Sequence, residues 1–198
     1  MVNLDQRALA LARKKGILRA KDAGAAGLPR VVLTRLCRSG LLSRLNRGLY
    51  ALPAAEISEH HSLAEVSKKV PQAIICLLSA LRFHGLTTQA PFEVWIAVDR
   101  KARKPRVENV PLRVVRFSKA AQAHGVEEHL VENVTVRVTS AAKTVVDCFR
   151  YRNKIGLDVA LEALKDYRRH RKSRDELWQA ARAGRVASVM RPYMEALA

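Results

Sequence analysis

The sequence has no stretch approaching the ~18–20 continuous apolar residues that a membrane span requires. Its opening run, MVNLDQRALALARKKG, lacks the apolar core and small-residue cleavage site of a secretory signal. A cytosolic protein with no membrane partner is expected. Cysteine is scarce: Cys37, Cys76 and Cys148 are scattered, odd in number and without CxxC spacing. That excludes a disulfide framework, and no Cys/His pair has the spacing of metal ligands, so buried free thiols, no metal and no cofactor are expected. There is also no Gly-rich phosphate loop, nucleophile elbow or paired-carboxylate constellation, so no residue is assigned a catalytic role. The most informative shortage is of acid. Residues 1–53 hold 11 Lys/Arg against only Asp5 and Asp22, a net +9 that is half the whole chain's +18. A field of that sign and density attracts polyanions.

What is present is enough apolar residue, 48% of 198, to bury one good core or two small ones. Asn3 with Gln6 makes a capping-box-like start, and Leu4, Ala8, Leu11 and Ala12 follow at helical spacing until Gly16. Ile17-Leu18 suits a short strand, and RAKDAGAAG a short second helix stopped near Gly24–Gly27. Pro29 suits the first turn of a third helix, PRVVLTRLCRS, closed by Gly40. A ribbon follows, GLLSRLNRGLYALP, folded about Asn46-Arg47-Gly48, with Leu42, Leu45, Leu49 and Leu52 as apolar anchors. Three short helices and then a hairpin is the order of a winged helix-turn-helix, whose third helix enters the major groove while the wing lies along the backbone or reaches the minor groove.

At about 100° per residue, Val32, Leu33, Leu36 and Cys37 share one side of the third helix, while Val31, Thr34, Arg35 and Arg38 share the other. The first set is expected to pack and the second to face DNA. Arg35 and Arg38 suit bidentate bonds to guanine, Thr34 a base or phosphate, and Val31 a thymine methyl. Arg30, near the helix N-terminus, and Arg44 and Arg47, flanking the ribbon's turn, are assigned to phosphates.

Beyond Pro53–Ile57, Ser58 suits the cap of a helix carrying Leu63, Val66 and Val70 that ends before Pro71. AIICLL is a β-branched apolar run, with a short helix starting at Ser79 and stopping at Gly85. EVWIAV (93–98) and LRVVRF (112–117) suit strands, and EHLVENVTVRVT a hairpin turning at Glu132-Asn133. Everything after Ser140 reads helical, with Ser140 and Ser173 as caps, Val159, Leu161, Ala163 and Leu164 on one face, and Pro192 kinking or restarting the last helix. Two basic clusters stand out. RRHRK (168–172) complements a helix C-terminus. RKARKPR (100–106) carries Arg100, Lys101, Arg103, Lys104 and Arg106, which suit a phosphate or an acidic partner.

Competing functions are a metal-dependent nuclease built on Asp99 and Lys101, and an interaction module that docks RKARKPR on an acidic protein. The first lacks a second carboxylate at the required place, and the adjacent His60 and His61 point in different directions on a helix. Lys143 and Asp147, spaced i, i+4, suit core anchoring rather than catalysis.

The run GLPRVVLTRLCRSGLLSRLNRGLYALP resembles the winged-helix domain of AbiEi-type antitoxins of type IV abortive-infection toxin–antitoxin systems. ICLLSALRFHGL, EVWIAV, VTSAAKTVVDCFRYRNKIGLDVALEAL and VMRPYMEAL resemble the segment that follows it in many members. The resemblance implies a repressor that binds inverted repeats in its own promoter. It also implies a C-terminal domain that counteracts a nucleotidyltransferase-like toxin without a stable complex. The expected fold is α+β: a winged helix-turn-helix over 1–54, then an α+β antitoxin or regulatory domain over 55–198 with a small mixed sheet and a helical C-terminus.

Overall fold

The computed structural model describes residues 3–53, 58–170 and 172–196. The expected domain junction lies, from Ala54 to Ile57, outside the described residues, as does Arg171 of RRHRK. The chain forms two compact units. The first comprises Met1–Gln72 with Pro105–Pro111 and His129–Val136; the second comprises Ala73–Lys104, Leu112–Glu128 and Arg137–Ala198.

In the first unit the order is α1 (Leu4–Lys15), β1 (Leu18–Arg19), α2 (Ala20–Ala25), α3 (Arg30–Arg38), β2 (Ser43–Asn46), β3 (Leu49–Ala51) and α4 (His61–Lys69). Asn3 caps α1 by accepting from the Asp5 amide at 3.1 Å. Pro29, expected inside the first turn of α3, sits one residue earlier as its N-cap, with φ −64° and ψ 147°. The sheet order is β1-β3-β2, with Leu18 opposite Tyr50 and Ser43 opposite Ala51. Ala8, Ala12, Leu18, Ala23, Leu28, Val32, Leu33, Leu36 and Leu42 form the buried core. This is the winged helix-turn-helix the element order predicts.

Ser58 does not cap α4; His60 occupies that position without a side-chain cap. The Ser58 hydroxyl instead accepts from the His60 amide at 3.3 Å, one turn earlier, and both its own amide and hydroxyl donate to Glu132 Oε1 at 2.8 Å. His61 Nδ1 faces Glu132 Oε2 at 2.7 Å. The Glu132 carbonyl in turn lies over Gly16, where a Cβ would come within 1.7 Å of its oxygen, so the left-handed turn ending α1 at φ +62° admits only glycine.

Glu132 gives a pH prediction. Burial pulls its carboxyl up, but the bonds from His61 and Ser58 outweigh that and leave it below its ordinary 4.5. A group whose folded pKa is depressed adds stability that is present above its unfolded value and lost as pH falls through the folded one. The melting temperature is therefore expected to drop between about pH 5 and about pH 3, and to drop less in Glu132→Gln. Equal slopes for the two proteins across that window would show that the Glu132 carboxylate adds no such stability.

A five-stranded mixed sheet has the order β6-β5-β4-β8-β7: β4 (Ile74–Ile75), β5 (Val94–Asp99), β6 (Leu112–Phe117), β7 (Val126–Val131) and β8 (Val134–Thr139); all of it belongs to the second unit except the tip of the β7–β8 hairpin, His129–Val136, which belongs to the first. β5 and β6 are parallel in register Val94–Leu112 to Asp99–Phe117, whereas β4 is antiparallel to β5 and parallel to β8. AIICLL gives only the two residues of β4 to the sheet. The helix expected from Ser79 starts earlier, as α5 (Leu77–Phe83), and the Ser79 hydroxyl accepts from the Trp95 amide at 2.9 Å instead. The β7–β8 turn lies at Glu132-Asn133, with φ +50° and +60°, the left-handed pair that a two-residue hairpin demands.

The helices are α6 (Lys119–Ala123), α7 (Ala141–Arg150), α8 (Arg152–Ile155), α9 (Leu157–Arg169), α10 (Arg174–Ala183) and α11 (Ala187–Ala196). Ser140 and Ser173 cap α7 and α10, accepting from Lys143 N at 3.3 Å and Glu176 N at 3.2 Å. α11 runs through Pro192 rather than restarting there. The core joins Ile74, Leu81 and Phe117 to Val145, Phe149, Leu164, Tyr167 and Met190. Leu161 is half-buried beside it, and Ala160 takes the fully buried place. Cys76 and Cys148 are buried and free, while Cys37 is half-buried.

Candidate nucleic-acid interface

α3 divides as its angular pattern demands. Val32, Leu33 and Leu36 are buried, whereas Val31 is 68% exposed and Thr34, Arg35 and Arg38 face solvent. A branched aliphatic side chain left that open on an otherwise polar face suits contact with a thymine methyl. The Thr34 hydroxyl donates to the Arg30 carbonyl at 3.3 Å, one turn back. Arg30 is exposed at the helix N-terminus, where no side chain caps the first amides.

Arg35 is not unengaged. Its Nη2 donates to Asp5 Oδ1, which reaches across from α1. The other acid of the segment, Asp22, is held by Arg19 through Nε at 3.3 Å and Nη2 at 3.2 Å, with Lys68 Nζ at 3.9 Å. Burial pulls the Asp22 carboxyl up, but Arg19, Lys68 and Lys15 outweigh it and set it below the usual range. Both negative charges of this acid-poor segment are therefore paired. Only Asp5 lies against the α3 face.

The wing is fixed by contacts that sequence reasoning missed. Asn46, buried at the end of β2, donates through Nδ2 to Glu65 Oε1 at 3.0 Å and to the Glu108 carbonyl at 2.6 Å. Its Oδ1 accepts from the Arg47 amide at 2.7 Å, and that amide also faces Glu108 Oε2 at 3.2 Å. Lys69 Nζ donates to the Arg47 carbonyl at 2.6 Å. The backbone of the turn is clamped while the Arg47 side chain stays exposed. β2 bulges between Arg44 and Asn46, a local kink that leaves Leu45 half-buried between two exposed arginines. Arg44 lies beside α3: burial pushes the Cys37 thiol up and the Arg44 cation pulls it partly back. Asn in a turn signals backbone conformation; its second use, as the hub joining α4 to the 105–111 segment, has no local sequence signature.

Asn46→Ala would strand the buried Glu65 carboxylate without its donor, a loss of roughly 1–3 kcal/mol. Chemical denaturation is expected to show that loss together with weaker DNA binding. An unchanged midpoint would mean that the clamp does not hold the wing.

The basic loop is divided. Arg106, two residues before Glu108, belongs to the first unit with the wing, whereas Arg100, Lys101, Arg103 and Lys104 belong to the second; all five are exposed. Asp99 is occupied by its own turn, Oδ1 accepting from the Lys101 amide at 2.9 Å and Oδ2 from Gln122 Nε2 at 3.4 Å. Among the described residues no group of three or more His, Cys, Asp or Glu could hold a metal ion, and no helix is long and apolar enough to cross a membrane.

Comparison with known proteins agrees with this geometry. Residues 6–53 match the family described as "Transcriptional regulator, AbiEi antitoxin". The AbiEi match starts in α1 and ends just past β3, so it spans the winged helix and about a quarter of the chain. It supports a DNA-binding regulator. No curated protein matches the sequence. Among solved structures, the RV2827C protein of Mycobacterium tuberculosis is similar with a TM-score of 0.54 at 16% identity, over 97% of this chain and 80% of that one. The likeness is one of fold, and it extends beyond the AbiEi-matched segment through the second unit.

Proposed function

We propose that the chain is the antitoxin and autoregulating repressor of a type IV toxin–antitoxin system. The winged helix over 1–54 would read inverted repeats in its own promoter, and the part over 55–198 would counteract a nucleotidyltransferase-like toxin without a stable complex. One observation carries the DNA-binding half: α3 presents Val31, Thr34, Arg35 and Arg38 on one open face beside a wing that exposes Arg44 and Arg47. Arg35 and Arg38 take base edges; Arg30, Arg44 and Arg47 take phosphates, with Arg106 on the same unit as a further phosphate contact. No metal or cofactor enters this mechanism, and its place of action is the cytosol.

Asp5 adds a control that follows from its contact with Arg35. A carboxylate against this face repels phosphate and must release Arg35 before that side chain can reach a base. Asp5→Ala is expected to tighten binding to all DNA sequences by about two- to fivefold, the scale of an exposed ion pair. Weaker binding in a titration of specific and random duplexes would show that Asp5 orients Arg35 productively instead.

The antitoxin half is tested by co-expressing the chain with the product of the adjacent gene. Rescue of growth without co-purification agrees with the reading; no rescue removes the antitoxin role and leaves a regulator. Docking of the 100–106 loop on an acidic protein would instead show as co-purification that is lost on neutralising Arg100, Lys101, Arg103 and Lys104.

A further inference from the structure

The second unit holds a cavity of about 700 Å³ bounded by β6, α6, α7 and α10, opening where the parallel pair β5–β6 ends. Its size falls within the range of small-molecule sites and far exceeds an inorganic anion. Four exposed arginines, Arg100, Arg116, Arg150 and Arg185, stand around it, together with the exposed carboxylates of Glu127 and Glu176. Deeper in its wall lies the Lys143–Asp147 pair, Nζ to Oδ2 at 3.2 Å, with Lys143 also 4.9 Å from the Phe117 ring centroid.

Asp147 is only 4% exposed, and its Oδ2 is engaged by the Lys143 ammonium at 3.2 Å. A buried carboxylate with one charged partner keeps lone-pair capacity for a further donor. The backbone leaves room for this arrangement. At Gly125, φ +62°, a Cβ would fall 2.9 Å from Lys143 Cδ, and at Gly184 one would fall 2.7 Å from Val146 Cγ1.

We propose that this cavity binds a nucleoside phosphate, with its phosphates against the arginines and a hydroxyl or amino group donating to Asp147. The two chemistries lie in one cavity, four arginines outnumbering Glu127 and Glu176 at the exposed lining and an acceptor inside, and a nucleotide carries the complement of both. Arg116 is already placed for the role, since Nη1 donates to the carbonyls of Asp99 at 2.9 Å and Ala102 at 2.6 Å, which fixes the guanidinium at the rim. Arg150 is set likewise by the Gly184 carbonyl at 3.2 Å. The proposal does not rest on the DNA-binding reading.

Calorimetric titration of the full chain at physiological salt with ATP, GTP and inorganic phosphate tests it. One site per chain is expected, at which at least one of the two nucleotides binds about tenfold or more tighter than phosphate and raises the melting temperature. Ala120→Trp, which adds bulk at an exposed lining position on α6, should weaken that binding at least about tenfold while leaving DNA binding unchanged. Should the tryptophan variant fail to fold, Arg150→Ala with Arg185→Ala, both on the surface, should give the same loss. Neither nucleotide binding more tightly than phosphate, or nucleotide binding undiminished in the folded variants, overturns the proposal.

Discussion

Replacing Arg35, Arg38 and Arg47 together by alanine is expected to abolish sequence-specific binding to the DNA upstream of the gene. Arg35 and Arg38 stand on the open face of α3, where a bidentate contact to guanine discriminates by roughly 1–3 kcal/mol each, so their joint loss removes about two to four orders of magnitude. Arg47 adds a phosphate contact from a clamped turn. All three side chains are exposed, so the fold should survive and the loss should be one of binding alone. The single variants separate the roles. Arg38→Ala should relax base preference at one position, whereas Arg47→Ala should weaken every sequence alike and reduce the salt slope by about one. A triple variant that still binds its own upstream DNA normally would refute the winged-helix assignment.

Asp147→Ala should be among the most damaging single changes to stability. It leaves the Lys143 ammonium, itself largely buried, without its counter-charge. Breaking one side of such a pair costs about 3–5 kcal/mol, whereas exchanging both partners for apolar groups costs far less. The pair is held by the protein at some expense: burial pushes the Asp147 carboxyl above its ordinary range, against the pull of Lys143 and Arg150. Denaturant unfolding of Asp147→Ala beside Asp147→Leu with Lys143→Met should therefore show a large loss in the first and partial recovery in the second. A loss of less than about 1 kcal/mol in Asp147→Ala would place Lys143 in the solvent of the cavity rather than in a buried pair.

The readable parts of the sequence were those governed by local rules. The faces of α3 follow from its periodicity, the hairpin at Glu132-Asn133 from the backbone those residues tolerate, and the caps at Ser140 and Ser173 from donor counting at helix ends. The missed parts all depend on partners far along the chain. Asn46 binds Glu65 and Glu108, Ser58 serves Glu132 instead of capping α4, and Asp5 meets Arg35 from another helix. AIICLL shows the same limit from another side: a β-branched run is compatible with strand or buried helix, and packing around β5 and α7 decided that two residues join the sheet and the next enter a helix. At the interface itself the arginines were legible because acid depletion and periodicity both marked them. The Asp5 contact and the Asn46 clamp were not, because neither spacing nor composition encodes them.

In the proposed function the first unit reads DNA sequence through α3 while its wing holds the backbone. The most direct measurement is a footprint of the full chain on its own upstream DNA, with affinity for that fragment and for a scrambled one of equal length measured across a range of salt. The expected result is protection of an inverted repeat, a preference of at least about a thousandfold for the native sequence, and a logarithmic loss of affinity with salt. Equal affinity for the two fragments, with no protected region, would contradict it.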